Sequence, residues 1–284
     1  MSAQADTLSK SDLERICGLI YQESGININA EKKIMLEGRL KRRMNALKLE
    51  TYGDYCKYVF SPTRDPEEVT QLIDAVSTNK TDFFREKEHF DVLVAKVLPA
   101  LTARVESARE LVIWSAGCST GEEPYTLAIV LTEYARSHPG FRFRILASDI
   151  STAVLEKAKR GVFTAEVVNP VPLELRRKYF LRSRDRESNL LRVVPELRQT
   201  VEFRYLNLME DFGQSELADA IFCRNVIIYF DRPTQERLFR KFAHQLADGG
   251  YVFVGHSESL HHMEVPLAPV APAVYRKTDG YERR

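Results

Sequence analysis

Over the first hundred residues, apolar side chains recur at three- and four-residue intervals, the period of helices with one face turned inward. Ser11 to Glu14 (SDLE) has capping-box spacing, and Leu13, Ile16, Cys17, Leu19 and Ile20 follow at helical intervals. Gly25 is placed to stop that helix. A second helix is predicted from about Asn29 to Lys48, with Ile34, Leu40, Met44 and Leu47 facing inward, and a third over Tyr52 to Phe60. Asp65-Pro66-Glu67-Glu68 then offers a cap, a proline at the first helical position and acidic residues for the first turn of a fourth. Nothing in this part reads as a strand.

Past about residue 108 the pattern changes to short apolar runs alternating with helical stretches. Leu111–Ser115, Arg144–Ser148, Val201–Leu206, Ala220–Cys223 and Tyr251–Gly255 read as strands, and Ala273–Arg276 as an edge strand. The intervening EEPYTLAIVLTEYAR, STAVLEKAKRG and PTQERLFRKFAHQLADGG read as helices, the last ending in its glycines. Repeated strand–helix units predict a doubly wound, mostly parallel α/β sheet. Such sheets bind ligands beyond the carboxyl ends of their strands, where the strand order reverses. Asn169–Thr200, with its prolines and charges, interrupts the rhythm and reads as a small antiparallel β insertion between the second and third strands. The expected organisation is an all-helical domain at 1–76, a linker and connecting helix at 77–108, and the sheet domain at 109–284 with its insertion at about 169–200.

Composition narrows the partners. Of 284 residues, 44% are hydrophobic and 29% charged, and the net charge of +1 does not suit a polyanion binder as a whole. No run approaches the roughly 20 apolar residues of a membrane span, and the N-terminus lacks the apolar core of a secretory signal. The four cysteines, Cys17, Cys56, Cys118 and Cys223, lack CxxC spacing, which fits reduced thiols in a cytoplasmic protein. Nothing demands more than a monomer.

The sharpest local chemistry is WSAGCSTGEEPY at 114–125. A strand ends, Gly117 and Gly121 let the backbone turn, and a helix opens at about Glu122, which brings amides and a helix N-terminus to a ligand. GxGxxG is absent, and no Lys-Ser/Thr follows the second glycine, so neither a dinucleotide fingerprint nor a phosphate loop is present. Acidic residues after the loop suit a cation, and Asp149, after the second strand, is placed to accept from ribose hydroxyls. A cationic nucleoside without phosphate is S-adenosylmethionine. A Gly-rich connection holding no ligand is the alternative for this loop alone.

Four blocks extend the picture: STNKTDFFRE at 77–86, WSAGCSTGEEPYTLA at 114–128, ASDIS at 147–151 and AIFCRNVIIYFD at 220–231. In this order they resemble the CheR family of chemotaxis receptor methyltransferases, and the likeness runs from the N-terminal helices through GHSESL at 255–260. The resemblance implies the S-adenosylmethionine-dependent methyltransferase fold. It also implies transfer of the methyl group to glutamate side chains on the cytoplasmic helices of chemoreceptors, with S-adenosylhomocysteine as the other product. By the same likeness, Asn79, Thr81 and Arg85 meet the methionine end of the cofactor. Arg85 also suits the substrate carboxylate, which a guanidinium can grip at two points; a surface salt bridge with Glu86 or Glu88 is the plainer reading. Gly117 and Glu123 contact the cofactor, Glu122 serves the helix dipole, Asp149 holds the ribose, and Asn207 and Leu208 border the adenine, although Asn207 also suits an ordinary turn. Arg224 and Asn225 stand where the cleft opens, and Tyr229 lines the methyl site or else belongs to the core. Phe83 and Phe84 read as packing residues. No catalytic triad and no metal are expected.

Two surfaces are implied for the receptor. The basic helix carries Lys32, Lys33, Arg39, Arg42 and Arg43, the arginines at three- and four-residue spacing, for an acidic partner; a solvated basic face is the alternative. In some family members the β insertion captures a receptor C-terminal peptide by strand addition. Here its loop, RSRDRESN, has none of the glycines typical of tethering members. A nucleic-acid methyltransferase is disfavoured: the amino-group motif Asp/Asn-Pro-Pro-aromatic is absent near the fourth strand, and Cys223 is flanked by Phe222 and Arg224 rather than by proline. A non-catalytic scaffold remains open on fold alone.

Overall fold

The computed structural model describes residues 6–104, 109–185, 187–213 and 216–278. Helix α1 (Lys10–Ser24) is capped by Ser9, whose Oγ accepts from the Asp12 amide at 3.1 Å, two residues before the SDLE box. Gly25, at φ 73°, ends it in the left-handed region as the sequence predicts. A short 3₁₀ turn (Ala30–Lys32) leads into α2 (Lys33–Leu47), which buries Leu36, Leu40 and Met44. Ile34 does not face inward: it is 83% exposed, because two residues from Leu36 is about 200° round a helix. With α3 (Tyr52–Val59) and α4 (Glu68–Val76), these helices close around Ile16, Ile20, Leu36, Leu40, Tyr55 and Leu72. Asp65 caps a turn just ahead of α4, accepting from the Glu67 amide at 2.9 Å, and Glu68 is buried rather than solvated.

The predicted connecting helix consists of α5 (Glu88–Val92), a π-helical turn (Leu93–Val97) and α6 (Leu98–Thr102). Pro99 cannot donate to the ladder, which accounts for a widened turn just before it. Phe90, Leu93, Val97, Leu98 and Leu101 pack into the core of the sheet domain, so this segment belongs physically to that domain.

There follow β1 (Leu111–Ala116), α7 (Glu122–Ser137), β2 (Phe143–Asp149) and α8 (Thr152–Arg160). The insertion comprises β3 (Val162–Thr164), α9 (Ala165–Val168), α10 (Leu173–Tyr179), β4 (Phe180–Arg182), β5 (Leu190–Val193) and α11 (Pro195–Arg198). It begins before residue 169, since β3 pairs with β5 in a three-stranded antiparallel sheet of order β3-β5-β4. Three residues are too few to show a strand period, which is why β3 escaped the sequence reading. Phe83 fixes this sheet to the domain, with its ring 5.0 Å from Phe163 and 5.5 Å from Phe180, edge to face.

The chain closes with β6 (Val201–Tyr205), β7 (Ala218–Phe222), α12 (Arg232–Gln245), β8 (Leu246–Phe253), β9 (Leu267–Ala271) and β10 (Val274–Lys277). The main sheet has the order β6-β2-β1-β7-β8-β10-β9. Its first five strands are parallel, and the last two run as an antiparallel hairpin. The glycines predicted to stop α12 lie inside β8, with Gly249 at φ 66° where the register with β7 shifts. Strand β10 is not the edge: it lies between β8 and β9, and β9 carries Pro269, a residue that edge strands tolerate. The order reverses between β1 and β7, and both strands end at the same side of the sheet.

Candidate active site

An open cleft of about 1030 Å³, with the solvent at its mouth included, lies beyond the ends of β1, β2, β6 and β7. Its walls include Asn79, Thr81, Arg85, Gly117, Glu123, Asp149, Asn207, Leu208, Arg224, Asn225 and Tyr229. Every cofactor and catalytic position expected from the sequence therefore lines one cavity. Parallel strands with returning helices bring all strand ends to one edge, so blocks far apart in the chain become neighbours.

The β1–α7 loop is held by the chain beside it. Amides of Gly117 and Cys118 donate to the Ser148 carbonyl at 2.8 and 2.9 Å, and Ser119 Oγ donates to the Asn79 carbonyl at 2.9 Å. Gly117 is at φ 84°, and a Cβ there would stand 2.5 Å from Val226 Cγ2, so close approach as well as the turn requires glycine. Asp149 is buried and accepts from the amides of Ser119 (2.8 Å) and Ser151 (2.9 Å). Burial pushes its carboxyl up from the usual range, against these hydrogen bonds and one from the Ile150 amide. Three amides on four lone-pair sites still leave room for a further donor such as a ribose hydroxyl.

Glu123 accepts from Ser115 Oγ at 2.7 Å and from Arg224 Nη1 at 3.0 Å. Its neighbour Glu122 is buried in the first turn of α7, where it suits the helix dipole, and accepts from Thr120 Oγ1 at 2.7 Å. The Arg224 side chain is 2% exposed. It lies over the Phe90 ring at 5.5 Å, and its Nη2 donates to Glu86 Oε2 at 2.9 Å and to the Arg85 carbonyl. One guanidinium between two carboxylates leaves a net negative charge, which favours a cationic ligand. Asn225 stands at φ 58°, and its Oδ1 is buried without a hydrogen-bond partner, an acceptor held ready for a ligand donor.

Arg85 is half-buried between Phe84 (φ 56°) and Glu86 (φ 52°), and its Nη1 donates to the Lys80 carbonyl at 3.0 Å. The alternative for Arg85, an ion pair with Glu86 or Glu88, is not formed: Glu86 pairs with Arg224. Asn207 takes the turn role and also lines the cleft. Its Nδ2 donates to the Glu23 carbonyl (2.6 Å) and its Oδ1 accepts from the Met209 amide (3.0 Å). Its side chain thus ties the end of α1 to the cleft floor. Tyr229 ends a 3₁₀ turn (Ile227–Tyr229), and its carbonyl accepts from the Asn27 amide at 2.8 Å, a second tie to the helical domain.

The basic residues of α2 separate. Arg43 turns inward and pairs with the buried Glu68 through Nε (3.2 Å) and Nη2 (2.6 Å). Arg39 grips the Val76 carbonyl and Thr78 Oγ1, the latter at 2.8 Å, at the rim of the cleft. Lys33 lies 3.6 Å from Glu37, while Lys32 and Arg42 are exposed. The three arginines therefore do not form one open face.

Glu86 and Glu258 were missed as site residues, although both sit inside quoted blocks; their partners are distant in the chain and invisible to local spacing. Glu86, His89 and His256 bring ligand-type atoms within 4.8 Å of one another. Oxygens of Glu86 already accept from Arg224, Asn225 and the His256 amide, and a guanidinium on the same carboxylate opposes a second cation. His89 is buried, and desolvation, with Arg224 nearby, pushes its pKa down to about 4. Burial also raises the thiols of Cys118 and Cys223 well above their ordinary value, which removes Cys223 as a nucleophile of the cytosine-5 kind.

A parallel sheet of this order, with an acid after β2 and a glycine turn after β1, is the S-adenosylmethionine-dependent methyltransferase fold. A family model described as CheR methyltransferase, SAM binding domain, matches residues 79–272, and one described as CheR methyltransferase, all-alpha domain, matches residues 11–77. The chain is 38% identical over 274 residues to the chemotaxis protein methyltransferase of Borreliella burgdorferi, covering 95% of each chain. It is 41% identical over 259 residues to that of Escherichia coli, covering 90% of this chain and 87% of the relative. The chain belongs to the CheR methyltransferase family.

Proposed function

We propose that this enzyme transfers the methyl group of S-adenosylmethionine to glutamate side chains on the cytoplasmic helices of chemoreceptors, forming glutamyl methyl esters and S-adenosylhomocysteine. The observation that carries this reading is the arrangement of the two cleft arginines. Arg224 is consumed by Glu86 and Glu123, which leaves Arg85 to meet an anion at the mouth. Glutamate, with a pKa near about 4.3, is already ionised at neutral pH and needs no general base. The sulfonium supplies an activated methyl group. The chain's own work is to hold acceptor and donor in line and to exclude water. In this reading Arg85 grips the acceptor carboxylate and the Tyr229 hydroxyl orients it, while Asp149, Glu123, Asn225, Asn79, Thr81, Asn207 and Leu208 seat the cofactor.

For receptor recognition, Arg42 and Lys32 are exposed on the helical domain, and Arg39 joins α2 to the cleft rim. This is a basic approach for an acidic helix. The small sheet has two open edges, β3 and β4, where a receptor peptide strand would add in family members that tether.

The test uses the purified enzyme, tritiated S-adenosylmethionine and membranes bearing chemoreceptors. Base-labile label on the receptor band, released as methanol, is the expected result. Unlabelled receptors with S-adenosylhomocysteine binding intact would refute the acceptor and keep the cofactor. Within the same reading, Asp149→Ala weakens S-adenosylhomocysteine binding about 10- to 100-fold, the worth of one or two hydrogen bonds to a charged acceptor. Unchanged affinity by calorimetry would remove this carboxylate from the binding set.

A further inference from the structure

Glu258 lies beyond the end of β8 and is 5% exposed. Its carboxylate is nested in backbone amides. Oε2 accepts from Asn225 at 2.8 Å and Gly255 at 2.6 Å, and Oε1 accepts from Ile228 at 3.3 Å, with the Ile227 amide also turned toward it. These amides belong largely to the turn that leaves β7, a stretch with no ladder or long helix to satisfy its N–H groups. Asn225 occupies the left-handed region there, at φ 58°, a conformation that most L side chains avoid and that asparagine tolerates best among them. The same turn delivers Asn225 and Tyr229 to the cleft. Arg224, one residue upstream, is fixed differently, by Glu86 and Glu123.

We propose that two carboxylates divide the cleft: Glu86 fixes Arg224 and the Asn225 side chain on the methyl-donor side, and Glu258 fixes the backbone of the Asn225–Tyr229 turn, which carries Tyr229 to the acceptor side. Glu258 is thus a positioning residue for methyl transfer that acts through the turn and Tyr229. This rests on the glutamate methylation reading for its acceptor. An acid at 258 serves because both oxygens accept. An amide would turn one of them into a donor facing backbone N–H groups, and the turn would relax.

The experiment compares wild type, Glu258→Gln, Glu258→Asp and Glu86→Gln, each checked for folding by thermal unfolding. For Glu258→Gln, kcat for receptor methylation falls about 100-fold, the scale of a misplacement near 1 Å. Its S-adenosylhomocysteine Kd stays within about threefold, since the clamps on Arg224 and the Glu86 bond to Asn225 Nδ2 are untouched. Glu258→Asp, which keeps both acceptors on a shorter stem, recovers part of kcat. Glu86→Gln shows the reverse split, with Kd raised about tenfold or more by the freed guanidinium. Parallel losses of kcat and affinity in both Glu258 variants, or no loss in either, would overturn the division. A wild type that leaves receptors unlabelled defeats the acceptor assignment instead. In that case a crystal structure of Glu258→Gln decides: Asn225 leaving positive φ supports the positioning role, and Asn225 retaining it refutes the role.

Discussion

Arg224→Met is expected to abolish detectable S-adenosylhomocysteine binding and to lower folding stability by about 3–5 kcal/mol, the usual consequence of removing one partner from a buried charge cluster. The side chain is almost fully covered, and both of its carboxylate partners are largely buried, Glu86 at 15% and Glu123 at 12% exposure. Methionine restores volume and contact with Phe90 but leaves two acids facing each other across the cleft wall. The pH trend weakens as well. In the wild type, burial pushes Glu86 up, but the Arg224 guanidinium outweighs it and leaves the carboxyl below its ordinary value. A depressed folded pKa stabilises above the unfolded value of about 4.3 and loses that contribution as pH falls through the folded value. Without Arg224 only the hydrogen bonds from the His256 amide and Asn225 oppose burial, so the depression shrinks and the variant loses less stability than the wild type as pH falls through the same range. Urea titrations between pH 3 and 7 read both effects. A variant with unchanged stability and the wild-type pH trend would show that the cluster is not coupled to the fold.

The second expected result concerns two adjacent arginines. Arg43→Glu places a carboxylate against Glu68, which is 1% exposed and also accepts from Tyr55 Oη at 2.9 Å. Like charges in that setting cost about 3–5 kcal/mol, and the helical domain is expected to unfold in thermal melts well before the wild type. Arg42→Glu, one residue away and exposed, leaves the melting temperature unchanged. In the proposed function it lowers receptor methylation while S-adenosylhomocysteine affinity holds, because it alters an approach surface and not the cleft. Equal melting temperatures for the two variants would contradict the Arg43–Glu68 pair.

Neighbours in the sequence thus have different jobs, and α2 shows why spacing did not reveal this. Arg39, Arg42 and Arg43 satisfy the three- and four-residue rule for a shared helix face. That rule reports position on one helix, not what stands opposite. Arg43 faces α4 and finds Glu68 there, whereas Arg42 faces solvent. The inward placing of Ile34 failed for a related reason: a lone apolar residue was counted into a stripe whose geometry is set by Leu36, Leu40 and Met44. The glycines after α12 also read as a stop, because local propensity says nothing of the pairing with β7 that draws them into β8.

The strand–helix alternation, the glycine turn at 117–121, the acid after the second strand and the four blocks were legible in the chain by themselves. They determined the fold class, the cofactor type and the residues of the cleft. Each is a local pattern, and parallel topology carries every strand end to one place without further instruction. Only the tertiary structure decided which charges meet. Glu86 lies 138 positions from Arg224, and Glu258 lies 33 from Asn225. Pairings at such separations arise from the packing of whole elements and leave no period in the sequence. The carboxylates that hold the cleft in shape, the inward turn of Arg43 and the Asn207 tie to α1 therefore became visible only once the chain was folded.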